Sequence, residues 1–417
     1  MSRKSTKGSS LRRTQAQNGQ QAVTVDSGAV SPQLSARAEE ANPRKRSSLL
    51  FWLAGGIVAI LLVYVALMAL APGLVPPWLR FNPPPAPAPS AAIGTSRISY
   101  VRSTPDGKRD LFIINADGTN PQQATSDLQI EGTLAWSPDG QKIILQSTVG
   151  GFSRIIRLTV GSDNRQMEAV QLTADINAES VVPVWSPDGK MIAFQSKRDG
   201  GMFQVFVMDA DGNNKRRLSD GKGYAAWPTW SPDGKSIAYV QGELGEAGSK
   251  RELMVVPVAG GGAQQLTHLD TSVTQPIWSP DGATITCRQT MGQYDIRLLI
   301  MKPDGSDQRT LVQNVASSGH QYSPDGKKLL YYAVSTQEGE NIYTVNVADG
   351  KITNLTNSAG ANYLPTWSPD GKQIAWSSKT SATEKYKIVV ADADGKNIRL
   401  LAEGDNDLYQ PAWAVVK

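Results

Sequence analysis

Hydrophobic positions follow two patterns along this chain. From Leu49 to Ala71 the sequence reads LLFWLAGGIVAILLVYVALMALA, 23 residues without a charge. At 1.5 Å per residue such a run crosses a hydrocarbon layer of about 30 Å, which predicts one transmembrane helix over 49–71. A soluble helix is rarely apolar on every side. A cleaved signal has an apolar region of only about 7–15 residues, so the run reads as a signal anchor. From residue 96 onward the pattern changes to short runs of alternating or continuous apolar residues bounded by Gly, Pro, Asn and Asp. Those are strand and turn signals.

The second pattern repeats. WSPDG begins at Trp136, Trp185, Trp230, Trp278 and Trp367, and YSPDG begins at Tyr322. A last aromatic, Trp413, closes the series. Successive aromatics lie 49, 45, 48, 44, 45 and 46 residues apart. A period in the forties is that of a four-stranded propeller blade. In the copy at Trp230, PTW (228–230) predicts an inner strand and SPDG a tight turn. Pro pre-sets φ there, Asp bonds nearby backbone and Gly accepts positive φ. SIAYVQ (236–241), ELMVVPV (252–258) and QQLT (264–267) predict the remaining strands. The aromatics at 136, 185, 230, 278, 322, 367 and 413 are read as structural wedges between blades.

Before the first full repeat, RISYVR (97–102), DLFIIN (110–115) and PQQAT (121–125) lack an inner strand. QPAWAVV (410–416) is an inner strand lacking the other three. Together they complete a seventh blade. The fold class expected is therefore all-β, a seven-bladed β-propeller closed by pairing of the two chain ends and preceded by one transmembrane helix.

Charge adds a topology. The net charge is +4, yet residues 1–48 alone carry +6, so the remainder is slightly acidic. A basic tail is not the basic face of a nucleic-acid-binding fold. Residues 1–48 are poor in apolar clusters and read as a disordered cytoplasmic tail. Arg44, Lys45 and Arg46 abut the apolar run and place the N-terminus in the cytoplasm. Residues 72–95 contain Pro83, Pro84, Pro85, Pro87 and Pro89 and read as a polyproline stalk. The propeller is assigned to 96–417, extracytoplasmic at the cell envelope.

WSPDGK, a following I-A-F-like strand, a V-M-D-A-D-G turn and R-x-L-T resemble the WD40-like Pro-Asp repeat of TolB-type propellers. The likeness covers about 320 residues. Gln141 and Ala283 depart from its lysine, Tyr322 from its tryptophan, and RIIRLTVGSDNRQ (154–166) lacks the D-G turn. The resemblance implies a scaffold and interaction role in the bacterial envelope.

Candidate chemistry is sparse. The single cysteine, Cys287, excludes an intrachain disulfide, and His268 and His320 are the only histidines. No G-x-S-x-G elbow or H-E-x-x-H motif is present. The SPDG aspartates could ligate calcium, but turn chemistry accounts for each of them. No cofactor, metal or catalytic residue is expected. The segments entering the inner strands carry Glu131, Glu179, Tyr224, Trp227, Gln275, His320, Asn362, Tyr363, Asp407, Tyr409 and Gln410. These are the candidate ligand-binding residues of the channel mouth.

The leading expectation is a membrane-anchored, non-enzymatic scaffold that binds an envelope protein or peptide at the mouth. One alternative is an envelope enzyme or carbohydrate-binding protein acting on polysaccharide through carboxylates there. Another is a receptor-like sensor signalling through the tail. The oligomeric state has no sequence signal.

Overall fold

Each S-P-D-G segment closes a hairpin through the same set of bonds. The serine hydroxyl donates to the aspartate two residues on, at 2.5–2.7 Å in all six copies. That carboxylate accepts the N–H of the residue after the glycine, as Lys235 N to Asp233 at 3.0 Å. The serine oxygen accepts a further N–H at the start of the next strand, as from Ser236 at 2.9 Å. The six glycines sit at φ 66–72°. Such a conformation is open to glycine because it lacks a Cβ. The aspartates are thus spent on turn geometry.

In the computed structural model, residues 96–414 are described apart from residue 127 and residues 176–177, 243–249, 293–294, 314–318, 336–338 and 358–359. They form 28 strands in seven four-stranded antiparallel units. The fourth unit has an inner strand Tyr224–Trp230, then Ser236–Gly242, Arg251–Pro257 and a short outer strand Gln264–Gln265. In the first unit the inner position is taken by Leu408–Trp413, which pairs antiparallel with Arg97–Ser103.

Strand residues point alternately to two faces, and here both faces are buried. Ile143 and Leu145 pack toward the first unit, while Ile144 packs toward the third. This is why the middle strands read as continuous apolar runs such as KIIL and QVFV. Seven apolar clusters each join two neighbouring units. In one, Ile388, Val390 and Leu401 of the seventh unit meet Ile98, Tyr100 and Phe112 of the first. The repeat aromatics sit at these seams. Trp185 and Trp230 donate their indole N–H to Ala135 O and Val184 O of the preceding unit, both at 3.2 Å.

The expected architecture, a propeller closed by pairing of the two chain ends and preceded by one transmembrane helix, is corrected on two points. Hydrogen bonding does not close the sheets into a barrel. It yields five sheets, two of them eight-stranded through the parallel bridges Arg251–Ser272 and Glu340–Ala361. The physical reason lies at the rim, where outer strands such as Gln122–Gln123 and Arg216–Arg217 are two residues long. They cannot carry a ladder onward, so side chains do the joining. The second correction concerns the transmembrane helix. The described residues contain no helix, hence none long and apolar enough to cross a membrane. The tail, apolar run and stalk assigned to residues 1–95 lie outside the described residues. Single-pass topology, a cytoplasmic N-terminus and attachment through one helix are therefore withdrawn from the functional reading.

Candidate functional site at the inner strands

Proline has no N–H to offer a ladder and is held in strands at bulges. The inner strands use it this way. Their pairing register slips between Val181 and Val184, Ala226 and Thr229, Thr274 and Ile277, and Tyr363 and Thr366. The residue before each bulge proline is left-handed: Val182, Trp227, Gln275, Leu364 and Gln410 have φ of 51–53°. In the sixth unit Gly319 takes that conformation at φ 75°, followed by His320 in place of proline. Bulky residues rarely adopt positive φ. The repeated bulge turns their side chains away from the ladder.

Trp227, Gln275 and His320 come together around a cavity of about 300 Å³, with Thr133, Val182 and Ile277 also in its wall. His320 is buried, and burial pushes its imidazole down to about 4, against a carbonyl of Thr286 that favours the charged form. Its Nε2 has no hydrogen-bond partner. No carboxylate is part of this wall.

Tyr224 and Trp227 meet edge to face at 6.1 Å, and the Arg251 guanidinium lies 5.5 and 5.9 Å from their rings. Phe203 meets Tyr224 at 6.3 Å, and Lys197 lies 4.6 Å from the Phe203 ring. Lys197 also pairs with Glu179 at 2.6 Å. Burial pushes the Tyr224 phenol up, opposed by Arg251.

A second aromatic group forms between the first and seventh units. Tyr363 meets Tyr386 at 4.7 Å, Tyr409 at 6.3 Å and Tyr332 at 6.3 Å, and Tyr386 meets Tyr409 at 5.8 Å. Lys379 stands 4.4 Å from the Tyr386 ring. The Asp407 carboxylate accepts the Tyr386 N–H at 2.9 Å. Burial, then the neighbouring Tyr386 and Tyr409, push the Tyr363 phenol up. Burial, then Asp407, do the same for Tyr409. These phenols stay protonated at neutral pH and can donate.

The remaining candidates are placed differently. Asn362 is buried and holds strands: its Oδ1 accepts from the Trp376 indole at 3.0 Å and Ser378 at 2.7 Å, and its amide donates to Glu340 O at 3.1 Å. Gln410 occupies a left-handed bulge, and Glu131 is half-buried in the longer slip between Ile130 and Leu134. Phe203, Arg251, Tyr386, Lys197 and Lys379 were not among the candidates. They stand on or beside other strands of the same units, where linear sequence gives no signal of proximity. Among the described residues no cluster of His, Cys, Asp and Glu could hold a metal.

Residues 166–333 match the family model for the TolB beta propeller domain. This chain carries a TolB-like propeller. An uncharacterized protein of Agrobacterium fabrum is 31% identical over 109 residues, covering 26% of this chain and 37% of that protein. The Tol-Pal system protein TolB of Francisella tularensis is 28% identical over 104 residues, 24% of each chain. The chain thus spans 24–37% of the length of these curated relatives. Among solved structures, an oligogalacturonate lyase in complex with manganese superposes with TM-score 0.57 at 14% identity, covering 75% of this chain and 86% of that one. At that identity the likeness concerns the fold alone. The expectation of a membrane-anchored scaffold is overturned for its anchor, because the described residues hold no membrane-crossing helix.

Proposed function

We propose that the TolB-like propeller, residues 96–417, is an extracytoplasmic carbohydrate-binding domain that holds a sugar chain at its inner-strand surface without cleaving it. The observation that carries this reading is the convergence of Tyr363, Tyr386 and Tyr409 with ring centroids 4.7–6.3 Å apart. Each of the three is only partly buried. Aromatic faces take the apolar C–H faces of sugar rings, and neutral phenols bond their hydroxyls. Asp407 supplies an acceptor beside them.

Most glycoside hydrolases use two carboxyl groups set about 5–10 Å apart across the bond. Glu179 pairs with Lys197, and Asp407 accepts a backbone N–H beside the tyrosines. The full chain should be run in affinity electrophoresis against polygalacturonate, soluble chitooligosaccharides and peptidoglycan fragments. Retardation by at least one glycan is expected, weakened about fivefold by Tyr386→Ala, in line with about 1 kcal/mol per aromatic contact. Equal retardation of wild type and variant by every glycan would remove this reading. Release of new reducing ends would replace it with the enzymatic one.

A further inference from the structure

The third unit bears a basic groove along its outer strand Arg216–Arg217. It encloses about 630 Å³ and is walled by Arg198, Lys215, Arg216, Arg217, Phe206 and Asp199 among others. Its charges are unequally matched. Arg198 pairs with Asp175, and Arg217 pairs with Asp199 at 2.9 Å. Lys215 and Arg216 instead donate to the carbonyls of Gly212 and Val258. The remaining wall carboxylate, Asp220, is occupied by the Gln241 amide and the Lys222 N–H, each at 2.9 Å. Lys215 and Arg216 thus make their direct hydrogen bonds to carbonyls alone, with Asp175 and Asp211 acting on Lys215 from further off.

The surroundings of Lys215 are adverse for a cation. Burial holds its ammonium below the ordinary lysine value, and the Arg198 guanidinium pushes it the same way, with Asp175 and Asp211 offsetting part of the effect. Lys250, Lys302 and Lys396 are shifted upward instead, each by a partner aspartate. A lysine set against an arginine across a polar groove is stabilised by an anion between them. Arginine supplies a planar fork of donors and lysine a compact charge, the pair used to grip tetrahedral and planar oxyanions. Arg198 is steadied from behind by the Phe206 ring at 5.4 Å.

We propose that this groove binds an oxyanion, a sulfate, phosphate or carboxylate group of a larger ligand, gripped by Lys215, Arg216 and Arg198. The site is independent of the carbohydrate reading. Sodium sulfate, inorganic phosphate and sodium acetate should be titrated separately into the full chain by calorimetry at low ionic strength. Saturable one-site binding of at least one anion is expected, weakened at least tenfold in Lys215→Met and unchanged in Lys327→Met, an exposed lysine elsewhere. Binding of acetate alone identifies a carboxylate ligand; binding of sulfate or phosphate identifies a tetrahedral one. Should Lys215→Met melt abnormally, Arg216→Gln takes its place with the same expected loss. Absence of saturable heat with all three anions, or equal binding by the variants, overturns the proposal. Tyr386→Ala must leave anion binding intact, so failure here and failure of the carbohydrate reading are told apart.

Discussion

His320 occupies a position where five other units place proline, and it answers to pH in a way proline cannot. Unfolded, its imidazole takes a proton near 6.5; folded, burial delays protonation to about 4. Between those values the unfolded chain binds more protons, so stability rises with pH across that window and is fully present above about 6.5. The full span corresponds to about 3 kcal/mol. Urea unfolding at pH 4.5 and 7 should show this loss on acidification, and His320→Asn should shrink the difference between the two pH values. An identical difference in the variant would mean that the ring is not held neutral by the fold. The sequence marked His320 as lining the channel; its burial comes from its neighbours in the cavity wall and could not be read from its position. Asn362 illustrates the opposite case. It was placed among mouth ligands because of where its strand begins, whereas its side chain faces inward and secures Trp376, Ser378 and Glu340.

At the scale of the element, the outer turn links hairpin chemistry to packing between units. Two glycines of these turns meet two demands at once. Gly395 has φ 82°, and a Cβ there would stand 2.6 Å from Leu355 O of the preceding unit. Gly305 faces Leu266 O at 2.7 Å in the same way. Gly395→Ala should lower stability by about 1–3 kcal/mol, the cost of overpacking and of a strained backbone. Gly404→Ala, with open space around the added methyl, is the matched control. Equal melting temperatures for the two variants would refute close approach as the reason for glycine. Strands beyond the turns were legible almost to the residue: ELMVVPV over 252–258 against Arg251–Pro257, SIAYVQ over 236–241 against Ser236–Gly242. Inner strands were read too short. PTW suggested a start at 228, whereas the strand runs from Tyr224. The proline looked like a boundary because its bulge, which absorbs the missing N–H, depends on the neighbouring strand.

For the whole domain, strand Leu408–Trp413 is the piece that joins the first unit to the rest. Leu408, Trp413 and Ala414 are buried, and Trp413 belongs to the cluster shared with the seventh unit. Deleting residues 408–414 should cost at least about 5 kcal/mol, since removing a single buried tryptophan side chain costs about 3–5 kcal/mol. It would also leave Arg97–Ser103 as an exposed edge. Thermal unfolding with light scattering should show a lower, broader transition with aggregation; an unchanged melt would mean that the pairing contributes nothing. The repeat spacing and the incomplete first and last segments made this pairing legible. The joining of some units into eight-stranded sheets was not, because single parallel bridges leave no periodic trace. The pairing also sets a clock. Ser99 and Ala412, which meet across it, are 313 residues apart in the chain. At about 5–20 residues per second, synthesis takes about 15–60 s to deliver the second after the first. Through that interval the earliest strands of the domain are the last to be completed, and their edge stands open to pairing with another chain.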